Sequence, residues 1–161
     1  MLCLLSIPIG FHLFPQNLTP ESKLIREGQE LLNNREFELA EKKFNKAKKL
    51  APKLAAPWYW KAKVSLARQN LSIAIFYVEK ALELQANHEP SLVLQIKILL
   101  LKGGTNTEEA RRKAKESYGV SDSLNQWLKC LENNNVFSDF VNTESKLDEL
   151  CPSPKTPYQV N

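Results

Sequence analysis

Few residues in this chain could do covalent or metal chemistry. It holds two histidines, His12 and His88, and three cysteines, Cys3, Cys130 and Cys151. A nucleophilic centre needs a Ser or Cys within reach of a histidine that a third group orients. Here His12 stands in an apolar stretch and His88 in a turn, so no such set can be assembled. Metal binding needs clustered ligands, and there is no CxxC and no histidine near a cysteine pair. Phosphate-cradling GxxxxGK and GxGxxG patterns are absent, and Gly103-Gly104 reads as a helix stop. Paired carboxylates all fall on lysine-rich stretches, where solvated ion pairs are the ordinary state. No enzyme, no cofactor and no metal is therefore expected. Cys130 and Cys151 could pair in an oxidising compartment. The expectation is free thiols in a cytoplasmic or equivalent reducing compartment.

What remains is chemistry of association. Residues 21–117 carry 19 Lys and Arg against 12 Asp and Glu, while residues 118–161 carry 3 against 6. A basic body with an acidic tail can attract acidic partners, or the tail can fold back on the body. The run Lys42-Lys43-Phe44-Asn45-Lys46-Ala47-Lys48-Lys49 admits an alternative, a basic helical protein associated with nucleic acid. Against it, Phe44 and Ala47 face inward, and a pI of about 8.9 falls short of the usual electrostatic footprint.

These groups must be positioned by helices. With 161 residues, 43% hydrophobic and 25% charged, the chain suits one soluble domain able to bury a core. Only five glycines and little β-branched alternation argue against a sheet. An offset of 34 places small residues on small ones: Gly28 on Ala62, Ala40 on Ala74, Ala47 on Ala81. Leu24 then meets Trp58, Phe44 meets Val78 and Leu50 meets Leu84. The predicted helices run from Thr19-Pro20-Glu21 to about Leu32, Glu36 to Leu50, Pro57 to Ala67, Leu71 to Leu84, Pro90 to Lys102 and Thr107 to Ser117. Asn34 is the expected cap of the second helix, and Ile73, Ala74, Val78 and Ala81 are expected to face inward on the fourth. Small residues are needed where helix backbones cross, so Gly28, Ala40, Ala47, Ala62, Ala74 and Ala81 are read as structural, with Trp58 as core.

The order Leu24, Gly28, Ala40, Phe44, Ala47, Pro52, then Trp58, Ala62, Ala74, Val78, Ala81, resembles the tetratricopeptide repeat (TPR) family. A third unit matches through Leu92 and Leu99 and departs at Ile96 and by a two-residue shift at Ala110 and Ala114. The resemblance implies an all-α fold: a right-handed α-solenoid of antiparallel helix pairs, about three units (21–54, 55–88, 89–118) within 19–118. It also implies a concave groove that captures a partner's peptide or helix, as an adaptor or assembly factor does. The groove residues it implies are Ile25, Arg26, Gln29, then Tyr59, Trp60, Lys63, then Val93, Leu94, Lys97. Lys63 and Lys97 would form a cationic ladder beside two aromatics, with at least one aromatic exposed. A partner segment mixing apolar and acidic residues suits such a face. The five-residue carboxylate clamp of one chaperone-binding subclass would fall on Ile25, Gln29, Trp60, Pro90 and Leu94, none of which matches.

Outside the repeats, residues 1–18 form an apolar arm or degenerate leader. Residues 1–14 are too short to span a bilayer, and Pro8 and Gly10 interrupt them. They leave open a leader, a peripheral membrane contact or packing on the first repeat. Residues 119–150 read as capping helices, one built on Leu124, Trp127, Leu128 and Leu131, another on Val136, Phe137, Phe140 and Val141. Residues 151–161, with three prolines, read as a flexible tail.

Overall fold

The computed structural model describes residues 18–138 and 143–155, so the apolar arm 1–17 lies outside the described residues, as do Phe140 and Val141. All regular elements among the described residues are helices: α1 (Pro20–Asn33), α2 (Phe37–Leu50), α3 (Ala56–Ala67), α4 (Leu71–Leu84), α5 (Glu89–Lys102), α6 (Asn106–Ser117), α7 (Asp122–Asn133) and α8 (Glu144–Leu150). None of them is long and apolar enough to cross a membrane.

Local chemistry sets the helix ends. The Thr19 hydroxyl accepts from the Ser22 amide, Pro20 opens the first turn and Glu21 faces the positive end of the dipole. The turns after α1 and α3 repeat one another. Arg35 and Gln69, 34 residues apart, both take left-handed backbone, at φ 62° and 60°. In each case the next amide returns to a helix carbonyl: Glu36 N to Leu31 O at 2.8 Å, Asn70 N to Ser65 O at 2.9 Å. This closes the helix C-terminus without a glycine. Asn70 also caps α4, its side chain accepting from Ile73 N. Asn34 does not cap α2 as expected. It belongs to the end of α1, where its amide donates to Glu30 O, and Glu36 takes the start of α2 without a side-chain cap.

The first three odd helices each pack on the even helix that follows: α1 on α2, α3 on α4, α5 on α6. Successive pairs meet through α2–α3 and α4–α5, and α3 also touches both α1 and α5. Ala40, Ala47, Ala62, Ala74 and Ala81 have no exposed surface. Gly28 shows why: a Cβ there would lie 2.7 Å from Phe44 Cζ and closer still to Cε1. Phe44, itself fully buried, stacks on Trp60 with ring centroids 6.0 Å apart. The inward set on α4 is Ala74, Val78 and Ala81. Ile73, expected inward, stands exposed because it lies about 100° around the helix from Ala74, on the flank of that stripe.

Predominantly apolar, α5 is buried over nearly its whole length, Ser91, Gln95 and Lys97 included. Its Leu94 and Ile98 join the core of α1–α4, while Val93, Ile96, Leu99 and Leu100 join a second core with Ala110, Ala114, Leu124, Trp127, Leu128 and Leu131. The stripe on α7 thus covers the open end of α5 and α6, so that no apolar layer is left bare there.

Three sequence expectations change beyond α7. Val136 and Phe137 are buried in turns, where Val136 N closes α7 onto Leu131 O, and no helix forms over 134–138. The short helix is instead α8, capped by Thr143, whose hydroxyl accepts from Lys146 N at 3.2 Å. Free thiols were expected at Cys130 and Cys151. The two are joined by a disulfide, because α7 and the end of α8 bring their Cα atoms to 5.7 Å. Cys151, placed by sequence in the loose tail, is fully buried, and its carbonyl accepts from Trp127 Nε1 at 3.0 Å.

Candidate functional site

The face to consider is the one shared by α1, α3 and α5, which carries the nine groove residues implied by the resemblance. Ile25, Arg26 and Gln29 come from α1, Tyr59, Trp60 and Lys63 from α3, Val93, Leu94 and Lys97 from α5. Direct α1–α3 and α3–α5 packing brings the three sets side by side.

Their exposure is not what a bare groove would have. Arg26 is exposed and Lys63 half-buried, but Ile25, Gln29, Val93, Leu94 and Lys97 are buried. Tyr59 and Trp60 are buried too, at 6% and 8% exposure, so neither aromatic stands out as an anchor. Their rings meet edge to face at 5.0 Å, Tyr59 also meets the His88 ring at 5.8 Å, and Trp60 backs onto Phe44. They form the floor of the face.

That floor supports two clefts. One, of about 710 Å³, lies over α1 and α3 and is lined by Arg26, Gln29, Phe37, Tyr59, Trp60 and Lys63. The other, of about 310 Å³, lies over α3 and α5 and is lined by Tyr59, Lys63, Val93, Leu94 and Lys97 on one side. Its other wall is the chain's own C-terminal segment: Glu144, Asp148 and the stretch Pro152-Ser153-Pro154.

The sequence left open that the acidic tail folds back on the basic body, but pointed to no residue of this wall. The Lys97 ammonium donates to Asp148 Oδ1 at 2.6 Å and lies 3.5 Å from Glu144 Oε1. Lys63 reaches the same Glu144 oxygen at 3.5 Å. Ser153 donates to Asp148 as well, at 2.9 Å. One carboxylate therefore bridges two lysines from neighbouring helix pairs, and Leu147 between the two acids is fully buried. Glu144 and Asp148, four apart, share one side of a helix, which a reading of residues 143–150 for helical spacing could have found.

Trp58, taken as core, is half-buried on another side of α3. Lys48 lies 4.4 Å above its ring, and Lys61 lies 5.5 Å from it and 4.3 Å from Tyr77. Burial first, then the nearby Lys61 and Lys49, lowers the Lys48 pKa. These cations are engaged with aromatic faces. Among the described residues no group of three or more His, Cys, Asp or Glu is arranged to hold a metal ion.

A comparison with protein-family models and with curated proteins finds no match for this chain.

Proposed function

We propose that the chain is a non-catalytic protein-interaction module of TPR type. On this reading its first six helices stack as three antiparallel pairs in a right-handed α-solenoid, and the α1–α3–α5 face captures a partner segment that mixes apolar and acidic residues. Binding is equilibrium capture, with no bond made or broken. One observation carries the reading: Lys63 and Lys97 share one face and already hold an acidic, leucine-bearing helix through Glu144 and Asp148. What the face holds within the chain is the chemistry it would hold from outside. The α1–α3 cleft, lined by Arg26 and Lys63 and bordered by Glu144, is where a partner would first engage.

Titrating labelled twelve-residue peptides onto the full chain tests this. Acidic amphipathic peptides should bind and their basic counterparts should not. Affinity should fall as salt rises, because rim charges act mainly on association. Lys63→Ala should weaken binding by about 0.5–1 kcal/mol, the size of a half-exposed ion pair. Equal binding of acidic and basic peptides would remove the reading.

A further inference from the structure

Besides the hydrogen bond from Trp127 Nε1 to the Cys151 carbonyl, the α8 segment is held to the body in three ways, each of a different kind. Leu147 is fully buried against the cap, Glu144 and Asp148 pair with Lys63 and Lys97, and the Cys130–Cys151 disulfide ties its C-terminal end to α7. A seven-residue helix is too short to persist in water by itself. Its two Glu144 contacts are long, at 3.5 Å, and part-exposed, so neither could hold it firmly, and Asp148 supplies one shorter contact, to Lys97. The disulfide is the strong member of the set and the only one that chemistry can open, since it removes the freedom of the loop from 130 to 151.

We propose that α8 is a displaceable internal occupant of the lysine-bearing face, latched by the Cys130–Cys151 disulfide. Its competitor is a partner segment of the same chemistry, two acidic residues one helical turn apart flanking a leucine. This deepens the function proposed above and rests on it for the identity of the competitor, while the latch itself can be read without any partner. A dithiol reductant opens the latch by thiol–disulfide exchange. The S–S bond breaks, two electrons and two protons pass from the dithiol to the sulfurs of Cys130 and Cys151, and the reductant leaves as its own disulfide. The α8 segment then stays tethered through its N-terminal side, and a partner must outcompete it at its local concentration. Lys97 is the reporter, because its burial depends on α8: carboxylates of α8 stand within 3.5 Å of its ammonium.

The test uses the full chain, oxidised and after dithiothreitol, together with the Cys130→Ser, Cys151→Ser double variant without reductant. Brief acylation with an amine-reactive ester, read by mass spectrometry at single lysines, compares Lys97 with Lys61. Lys61 is equally buried, but under Trp58 and Tyr77, away from α8. Opening the latch should raise Lys97 acylation about tenfold and leave Lys61 unchanged, with the double variant matching the reduced chain. An unchanged Lys97 overturns the proposal. So does a parallel rise at Lys61, which would mean that the domain as a whole had loosened. In the same samples, a fluorescent synthetic peptide of residues 143–150 should bind the opened chain about tenfold more tightly than the oxidised one. Its charge-reversed form, carrying Glu144→Lys and Asp148→Lys, should bind neither. Selective opening of Lys97 without peptide binding would uphold the latch and overturn the capture function, so the two ideas fail separately.

Discussion

The two halves of one face behave differently although their residues repeat. Lys63 and Lys97 are 34 residues apart and occupy equivalent places on α3 and α5. Yet the Lys63 side chain keeps 31% of its surface and Lys97 only 7%. Nothing in their own helices accounts for this. Lys97 is covered because α8 lies over the α3–α5 half, whereas of α8 only Glu144 borders the cleft over α1 and α3. Burial of a charge here is decided by what a distant segment lays across it. The covered lysine is tolerable because it meets two carboxylates, as a charge removed from water must.

The comparison breaks most visibly if the floor common to both halves is removed. Trp60→Ala deletes the ring stacked between Phe44 and Tyr59 and should cost about 3–5 kcal/mol in denaturant unfolding. A loss well under 1 kcal/mol would mean that Trp60 is a surface anchor after all. Gly28→Ala reaches that floor from the α1 side, since the new methyl must push the fully buried Phe44 ring. It should cost about 1–3 kcal/mol, against no more than ~0.5 kcal/mol for the exposed Lys42→Ala.

The lysines themselves sharpen the contrast. Lys97→Met strands two carboxylates against an apolar side chain and should cost about 1 kcal/mol, reduced from the fully buried value because Glu144 and Asp148 are part-exposed. Lys63→Met should stay within ~0.5 kcal/mol. Equal losses in thermal unfolding would show that α8 does not distinguish the halves.

The smallest effect appears only in acid. His88 sits where α3 meets α5, its Nδ1 2.8 Å from the Ser91 hydroxyl, and burial lowers its pKa. The unfolded state then binds the proton more readily than the folded one. Its contribution is intact above the unfolded pKa of about 6.5 and is lost as pH falls below that value towards the lower folded one. His88→Asn keeps a residue able to cap α5 and should flatten the stability profile below about pH 6.5 relative to wild type. Parallel profiles for the two proteins would remove His88 as a contributor.

How much of this could be read from residues alone follows from the range of each interaction. The period of 34, the small residues at crossings and most helix ends were legible, because each depends on neighbours within a turn or on the next helix. Even the turn after α3 repeats that after α1 with non-glycine left-handed residues. Exposure of Tyr59 and Trp60 was misjudged because helical spacing tells which side of α3 they occupy, not how deep Phe44 and His88 draw them in.

The α8 segment marks the boundary. Its sequence, ESKLDEL, is too short for a hydrophobic period and contains nothing that names a location. The local order determined a cap at Thr143 and two acids on one side of a turn. Only the tertiary structure decided that those acids meet Lys63 and Lys97, and that Cys151 reaches Cys130. Repeated helix pairs are specified by short-range chemistry that recurs along the chain. The placement of a single short helix is specified by one buried leucine, a pair of charges and a cross-link to partners tens of residues away. Each is a contact whose existence depends on the rest of the fold having formed.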